Sequence, residues 1–371
     1  MKYRNIELHY EQTLDDVGTK IIDLRTTDPL SAIRLDFKGT NGATSNKDNR
    51  LNDVITKIEM VDGSDQLLSL TLKEAQALEF RRTGKMPFMR PGESGGGGQE
   101  EHVLLLFGRY LWDPEYYMDL TKFRNPQLKI TTNIAAVRAA GADGFLTGKL
   151  KVTIDLHTIQ EGAVAAKGFM MAKNIYGFTS GTSGDEHIDM PMDFPYVGLL
   201  VRAYTAGNDF DENVEKIKIN CDAGKFIPIE KYTKDVYKTE EQDLGAARLH
   251  YYLWRKNGET ITFDLNHDPI LSVVPSNVGQ ICTANITWSG RSLINVYDHA
   301  GAAVTTEQLI RFIVVGSCPH STIHLPFGLR GQPETYFNPK AFGDIDLVLT
   351  QKAASDVAVI LEQLRSYGAA A

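Results

Sequence analysis

Two similar stretches of sequence decide the fold, residues 56–63 (TKIEMVDG) and residues 215–224 (EKIKINCDAG). In each stretch, apolar and polar residues alternate and then reach a turn rich in Asp and Gly, which is typical of a β-strand that ends in a tight turn. A second apolar stretch follows each turn, at residues 66–71 and 226–229. We interpret the two stretches as copies of one strand–turn–strand unit.

The similarity continues on both sides of this unit. Further predicted strands recur in the same order in the two halves, namely 21–24 and 188–191, 33–37 and 200–204, 128–134 and 345–350, and 149–159 and 357–364. The offset between the copies begins near ~160 residues, far above the roughly 20–50 residues of solenoid repeats. It grows along the chain, which indicates longer loops in the second copy. We therefore interpret the repeat as a duplicated domain.

Each copy contains seven or eight predicted strands, which suits a jelly-roll sandwich with one buried face per strand. The predicted fold class is all-β, with two tandem jelly-roll β-sandwiches (a double jelly roll) and a few short helices. The predicted boundaries are an N-terminal arm at 1–18, the first jelly roll at 19–162, a glycine-rich linker at 163–184, and the second jelly roll at 185–371.

Local signals add a helix and a hairpin. Residues 72–82 (LKEAQALEFRR) have helical spacing, and Gly84 follows as a stop signal. Residues 256–259 (KNGE) predict a type I′ turn between two paired strands. The glycine run within residues 91–99 (PGESGGGGQ) is interpreted as an exposed loop tip.

Composition narrows the function classes. The chain has 371 residues and a formal net charge of −8, so there is no basic footprint for nucleic acid. No apolar stretch approaches the ~20 residues of a membrane-spanning helix, and the polar start predicts no signal peptide. The three cysteines, Cys221, Cys282 and Cys318, are interpreted as reduced thiols in a reducing compartment.

The most metal-like cluster is formed by Cys318, His320 and His324. On an extended strand, the two histidines would be about 13 Å apart, too far to share an ion. We therefore interpret them as unrelated surface or loop histidines. The acidic stretch 208–213 (NDFDEN) lacks the glycine and distal glutamate of an EF-hand loop and is interpreted as a solvated turn.

No motif for catalysis or nucleotide binding emerges. The glycine run 95–98 and the stretch 144–150 (GFLTGKL) both lack the spacing of a phosphate-binding loop. Pairs of carboxylates such as Asp113 with Glu115 arise by chance in a chain with 47 acidic residues. We predict that the chain is not an enzyme and has no catalytic, cofactor-binding or metal-binding residues.

Four stretches carry a resemblance to a known family, namely 58–65 (IEMVDGSD), 69–78 (SLTLKEAQAL), 342–350 (FGDIDLVLT) and 359–367 (VILEQLRSY). With the order of elements along nearly the whole chain, they resemble the double jelly-roll major capsid proteins of membrane-containing icosahedral bacteriophages. This is the tectivirus, corticovirus and adenovirus lineage.

The resemblance implies a homotrimer that forms a pseudo-hexagonal capsomer in the virion, assembled in the host cytoplasm. Its partners would be neighbouring capsomers, penton or minor capsid proteins, and an internal lipid membrane at the base. The loop 91–99 would then be a candidate for the outer crown or for contacts between subunits, and Lys2 and Arg4 would be candidates for contacts at the base. Some members of the family bind structural metal ions, but no residue pattern here transfers that property.

One alternative comes from another class, a glycan-active or glycan-binding protein built on paired jelly rolls. Such a protein needs clustered acids and aromatic platforms at the domain interface. Trp112, Trp254 and Trp288 are the candidate platforms, although packing in a core is the commoner role for tryptophan.

Overall fold

The computed structural model describes residues 1–43, 46–47, 49–137, 144–266, 272–277, 279–287 and 290–367. Most of the described chain is β-structure with short helices, which confirms the predicted all-β class. Among the described residues, no helix combines the length and the apolar composition that crossing a membrane requires.

The first half contains strands and helices in the order β1 (Lys2–Thr13), β2 (Val17–Asp23), β3 (Leu30–Thr40), α1 (Leu51–Val54), β4 (Ile55–Asp62), β5 (Asp65–Leu70), α2 (Leu72–Thr83), β6 (Met89–Arg90), β7 (Gly98–Leu106), β8 (Pro126–Asn133) and β9 (Lys151–Glu161). Two sheets pack face to face. One has the order β1-β9-β3-β7-β6, and the other contains β2-β8-β4-β5. Along β4 the alternation seen in the sequence places Ile58 and Met60 in the core between the sheets.

The second half begins with β10 (Gly168–Thr179), β11 (Asp185–Asp189), β12 (Tyr196–Tyr204), α3 (Phe210–Asn213), β13 (Val214–Cys221), β14 (Phe226–Tyr232) and α4 (Thr233–Leu244). An insertion follows, with β15 (Ala247–Arg255), β16 (Glu259–Thr262), β17 (Leu265–Asn266), β18 (Ser272–Ser276), β19 (Gln280–Thr287), β20 (Arg291–Asp298), β21 (Gln308–Gly316) and β22 (Cys318–Pro319). The half ends with β23 (Thr322–Pro326), β24 (Ile345–Gln351) and β25 (Asp356–Ser366).

The two halves share one topology. The second sandwich has the sheet orders β10-β25-β12-β23 and β11-β24-β13-β14. These match β1-β9-β3-β7 and β2-β8-β4-β5 strand for strand, and each half has a helix after its fifth strand, α2 or α4. The duplication inferred from the sequence is therefore visible as a repeated jelly roll.

A parallel strand pair joins the two sandwiches. β10 of the second half pairs with β5 of the first, with Ala172 opposite Leu68 and Lys173 opposite Ser69. The two four-stranded sheets thereby become one eight-stranded sheet. The core of the first half accordingly includes Leu200 and Ile360 from the second.

The extra length of the second copy lies between α4 and β23. There, two small sheets with the orders β15-β21-β18 and β16-β20-β19 accompany the short pair β17-β22. This insertion has its own core, which also takes in Phe80 of α2 and Met89 of β6. The insertion is therefore part of the second half by sequence but packs against the first half.

Helix α2 is the best predicted local element. The predicted range 72–82 is observed as Leu72–Thr83. Thr71 and Glu74 form a reciprocal capping box at the start, and Gly84 ends the helix with φ of 72°, a conformation that glycine adopts without strain. The helix packs on β7 and also contacts β22 and β23, so it connects the two halves.

Two strands lie where the sequence predicts irregular segments. β1 lies within residues 1–18, assigned to an arm, and β10 lies within residues 163–184, assigned to a linker. Each is the first strand of its sandwich. The pattern misses β1 because it is an edge strand with mostly exposed side chains, and it misses β10 because Gly168 and Gly177 interrupt the apolar alternation.

The predicted hairpin at 256–259 is wrong. A turn is present, but β15 before it pairs with β21, whereas β16 after it pairs with β20. Gly258 has φ of 81°, while Asn257 does not have the positive φ that a type I′ turn also requires. The turn therefore passes the chain from one small sheet to the other.

Candidate functional site

Two arginines in the last turn of α2, the buried Arg81 and the nearly buried Arg82, hold the two halves together. Arg82 donates from Nε to Glu362 Oε1 of β25 at 3.0 Å, and its Nη2 lies 2.7 Å from the same oxygen. Its Nη1 donates to the Leu106 carbonyl. The Arg82 carbonyl in turn accepts a hydrogen bond from Arg330. Arg82, a residue of the first half, thus contacts both the eight-stranded sheet and a loop of the second half.

Arg81 makes a second connection. Its Nη1 lies 2.9 Å from Glu240 of α4, and its Nη2 donates to the Thr322 carbonyl at 2.9 Å. Burial raises the pKa of Glu240 to about 8, although the charge of Arg81 opposes this. Burial, with the charge of Arg81 adding to it, lowers the pKa of the neighbouring His324 to about 3. His324 is therefore neutral at physiological pH.

The glycine-rich loop 91–99 attaches the insertion to the first half. Ser94, Gly95 and Gly96 are exposed, as an exposed tip requires, but Glu93 is buried. Its carboxylate accepts hydrogen bonds from the buried guanidinium of Arg255, at 2.5 Å from Nη1 and 3.1 Å from Nη2. The interpretation of the loop as only an exposed tip is therefore incomplete, because Glu93 anchors it beneath the insertion.

The residues of the metal-like cluster have different partners. Cys318 and His320 are buried, whereas the side chain of His324 is 17% exposed. The two histidines are unrelated to each other, as predicted, and His320 lies in a turn, but it is buried rather than at the surface. His320 lies beside Asp264, whereas His324 lies beside Glu240. Within the described parts of the chain, no group of three or more His, Cys, Asp or Glu residues could hold a metal ion.

The acidic stretch 208–213 forms a short helix rather than a solvated turn. Glu212 accepts a hydrogen bond from the backbone N–H of Asp209 at 3.0 Å, as in a capping box. Asp209, Phe210 and Asn213 are buried, and Asn213 donates to the Ala203 carbonyl. This stretch therefore supports β12 from within the second sandwich.

Of the three tryptophans considered as glycan platforms, Trp112 has aromatic packing partners within the chain. Trp112 stacks on Tyr3 with ring centroids 4.6 Å apart and meets His157 edge-on at 5.5 Å. The backbone N–H of Trp254 donates to Glu93. Trp288 lies outside the described residues. The contacts of Trp112 are those of a side chain that covers β1 and β9.

The candidate carboxylate pair, Asp113 and Glu115, also forms ion pairs within the fold. Asp113 and Glu115 both bind Arg109, at 2.6 Å and 2.9 Å. Lys167 pairs with Glu115 on its other side. Burial would raise the pKa of Asp113, but the hydrogen bond from Arg109 holds it below its ordinary value. The pair thus closes a loop next to the start of β10.

Exposed apolar side chains lie on the edge strands of both sandwiches. On β14, the edge of its sheet, Phe226, Ile227 and Tyr232 are exposed by 48%, 39% and 56%. On β2, the edge of the eight-stranded sheet, Val17 and Ile21 are exposed. An edge strand has unpaired backbone groups, so apolar residues on it mark a surface suited to contact with another chain.

The outer face of the β1-β9-β3-β7-β6 sheet is instead charged. Lys38 and Lys151 both contact Glu11, each at 2.8 Å, and their hydrogen bonds lower the pKa of Glu11 to about 2. Arg34 pairs with Asp155 on the same face. At the start of β1, Lys2 is 2.7 Å from Glu161 and Arg4 is 3.4 Å from Asp28. The positive charges predicted to contact a membrane are thus each paired with a carboxylate.

No protein-family model matches the sequence, and no curated protein matches it. Solved structures do match over almost the whole chain. The major capsid protein of STIV, the Sulfolobus turreted icosahedral virus, has a TM-score of 0.62 at 10% identity, with 98% of this chain and 97% of that chain covered. The major capsid protein P2 of bacteriophage PM2 has a TM-score of 0.55 at 11% identity, with coverage of 100% and 99%.

A third similar structure is VP54 of PBCV-1, which was fitted into a reconstruction of the virophage Sputnik. It has a TM-score of 0.56 at 10% identity, with 98% of this chain and 93% of that chain covered. The chain therefore has the double jelly-roll fold of these viral capsid proteins. The resemblance predicted from the sequence is confirmed at the level of the fold.

Proposed function

We propose that this chain is a major capsid protein, a structural component of a virion rather than an enzyme. The observation that carries the proposal is the strand-for-strand repetition of one sandwich, with the two copies joined through one continuous sheet. A chain that presents two similar but unequal flanks can form a ring of six sandwiches from three copies, with only threefold symmetry. Such a ring would tile against six neighbours.

The finer expectations belong to the same proposal. The chain would form a homotrimeric, pseudo-hexagonal capsomer, with further contacts to penton or minor capsid proteins and to an internal membrane at the base. The two jelly rolls, predicted at 19–162 and 185–371, would act as the two assembly units, each extended by its first strand, β1 or β10. The insertion, residues 247–319, would supply an outer projection.

The edge strand β14 is the proposed contact between neighbouring subunits. Its exposed Phe226 stacks on Phe342 with ring centroids 5.5 Å apart and an angle of 3° between the planes. Phe342 in turn stacks on Phe337 at 5.4 Å. The exposed ring is therefore held in one orientation by the core of its own subunit. A preorganised apolar surface loses less conformational entropy when a partner covers it.

The mass of the purified full-length chain, measured by native mass spectrometry and analytical ultracentrifugation, tests the proposal. We expect a trimer, and negative-stain images with a hexagonal outline. A chain that stays monomeric at high concentration, or that hydrolyses or binds glycans in a direct assay, would contradict the proposal.

A further inference from the structure

A partly open cavity of about 210 Å³ lies where the first half, the second half and the insertion meet. Three cationic side chains line it, Arg50 and Lys73 from the first half and Arg202 from β12 of the second. Two carboxylates, Asp53 and Asp264, also line it, and the other polar lining residues are Tyr204, Thr262, His320 and Ser321. Because three separate parts of the chain form the cavity, a molecule bound in it can contact all three and connect them.

Positive charge converges at one wall of this cavity. The Lys73 ammonium lies 5.7 Å and the Arg202 guanidinium 5.5 Å from the centre of the Tyr204 ring. Lys73 also pairs with Asp53, and Arg202 Nη1 lies 3.2 Å from the exposed carboxylate of Asp356. The Nε of Arg202 is buried and has no hydrogen-bond partner among the described residues. A buried donor without a partner is costly, so the site favours a ligand that accepts a hydrogen bond.

His320 provides a second unpartnered group. Its side chain is 1% exposed, and neither ring nitrogen has a hydrogen-bond partner in the described part of the chain. Its Nδ1 is 3.5 Å from Asp264 Oδ1, longer than an ordinary hydrogen bond. His320 and Ser321 adopt consecutive left-handed conformations, with φ of 53° and 55°. Strained backbone of this kind is often found where a ligand is held.

The protonation states around the cavity leave His320 as a donor beside an ionised carboxylate. Burial lowers the pKa of His320, and the charges of Lys73 and Arg202 lower it further, although Asp264 opposes them. The imidazole is then neutral and retains one N–H donor. Burial would raise the pKa of Asp264, but His320, Lys73 and Arg50 hold it below its ordinary value, so this carboxylate stays ionised.

We propose that this cavity binds a small inorganic oxyanion of the phosphate or sulfate class. The unpartnered N–H groups of Arg202 and His320 would donate to its oxygens. A divalent cation fits less well, because the lining has three cationic side chains, Arg50, Lys73 and Arg202, against two carboxylates, Asp53 and Asp264. The bound anion would connect the two jelly rolls and the insertion.

Thermal unfolding of the full-length chain with added inorganic phosphate tests this proposal. Sodium chloride keeps the ionic strength constant, so that general screening does not change. Since a ligand of the native state stabilises it by mass action, we expect the Tm to rise with the logarithm of the phosphate concentration. Titration calorimetry should give a saturable signal with about one phosphate per chain, and sulfate should compete. Equal Tm values in phosphate and chloride would overturn the proposal and leave a cavity that holds only water.

Two variants locate the site. Arg202→Gln should weaken phosphate binding by about tenfold or more, because hydrogen bonds to charged groups contribute on that order. Arg124→Gln, the same change at an exposed arginine, should leave binding unchanged. If Arg202→Gln does not fold, His320→Asn is the second variant, since asparagine tolerates the left-handed conformation. Phosphate binding that survives both changes in the cavity would overturn the assignment.

Discussion

The guanidinium of Arg82 and the carboxylate of Glu362 form a largely buried ion pair between the two jelly rolls, 2.7 Å apart. Arg82 lies in the last turn of the helix that follows the fifth strand of the first sandwich, and Glu362 lies on the last long strand of the second. The pair reinforces the parallel contact of β5 with β10. The junction is therefore part of the core of the molecule.

Removal of one member of this pair should destabilise the whole chain. Glu362→Leu leaves the charge of Arg82 buried, and we expect a loss of about 3–5 kcal/mol in the free energy of unfolding. The double variant with Arg82→Met should recover most of the loss, because both charges are then absent. Urea unfolding, monitored by fluorescence, measures the free energy of unfolding of both variants. Glu161→Ala, which breaks an exposed pair with Lys2, is the control and should change little.

Gly168 is required by the close approach of β10 to β25. A Cβ at this position would lie 2.4 Å from the Arg365 carbonyl oxygen and 2.9 Å from the Ser366 Cα, both of which are backbone atoms. Gly168→Ala should therefore cost about 1–3 kcal/mol through a forced backbone shift. Gly177→Ala on the same strand meets nothing closer than 3.8 Å and serves as the matched control. Equal melting temperatures for the two variants would contradict this account.

Stability should fall as the pH rises from weakly acidic to alkaline values. Burial raises the pKa of Glu101 from 4.5 to about 8, and the charge of Asp264 adds to this. The native state then retains a proton that the unfolded chain loses, so stability decreases between pH 4.5 and 8, by up to about 1.4 kcal/mol per pH unit. Above that range the contribution is constant.

Glu101→Gln should therefore reduce this slope and raise the Tm at alkaline pH. Glu100→Gln is the control, because Glu100 is only half-buried on the opposite face of β7. The Tm of each variant is measured across the pH range in buffers of equal ionic strength. An unchanged slope in Glu101→Gln would show that this carboxyl group is ionised in the native state.

Assembly should depend on the exposed edge strand β14. Ile227→Lys places a charge in the proposed contact, and we expect the association constant of the proposed trimer to fall at least about tenfold, which corresponds to about 1.4 kcal/mol. Ile281→Lys makes the same change at an exposed position of the insertion and should leave the trimer intact. Sedimentation velocity over a dilution series measures both, and circular dichroism verifies that each variant is folded.

The sequence allowed prediction of the elements whose signal is local. β4 and β13 alternate because one face of each is buried, and α2 has its capping residues next to it in sequence. The pairing of strands could not be predicted in this way, because it depends on residues far apart in the chain. The strands of the insertion alternate like those of a jelly roll, so alternation alone did not separate them from the second sandwich.

The buried polar residues were hardest to predict. The sequence places His320 at the surface or in a loop, because no polar partner that would allow a histidine to be buried is near it in the chain. That neighbour, Asp264, is 56 positions earlier in the chain. Glu93 likewise follows a proline and a glycine, which are typical of a loop, and its partner Arg255 lies on β15. Burial in these cases depends on polar partners that only the folded chain brings together.

One eight-stranded sheet crosses from one sandwich to the other. We therefore expect the angle between the two sandwiches to vary little from copy to copy. A closed shell made of such copies would have to obtain its curvature from the seams between molecules, where side chains can readjust at low cost.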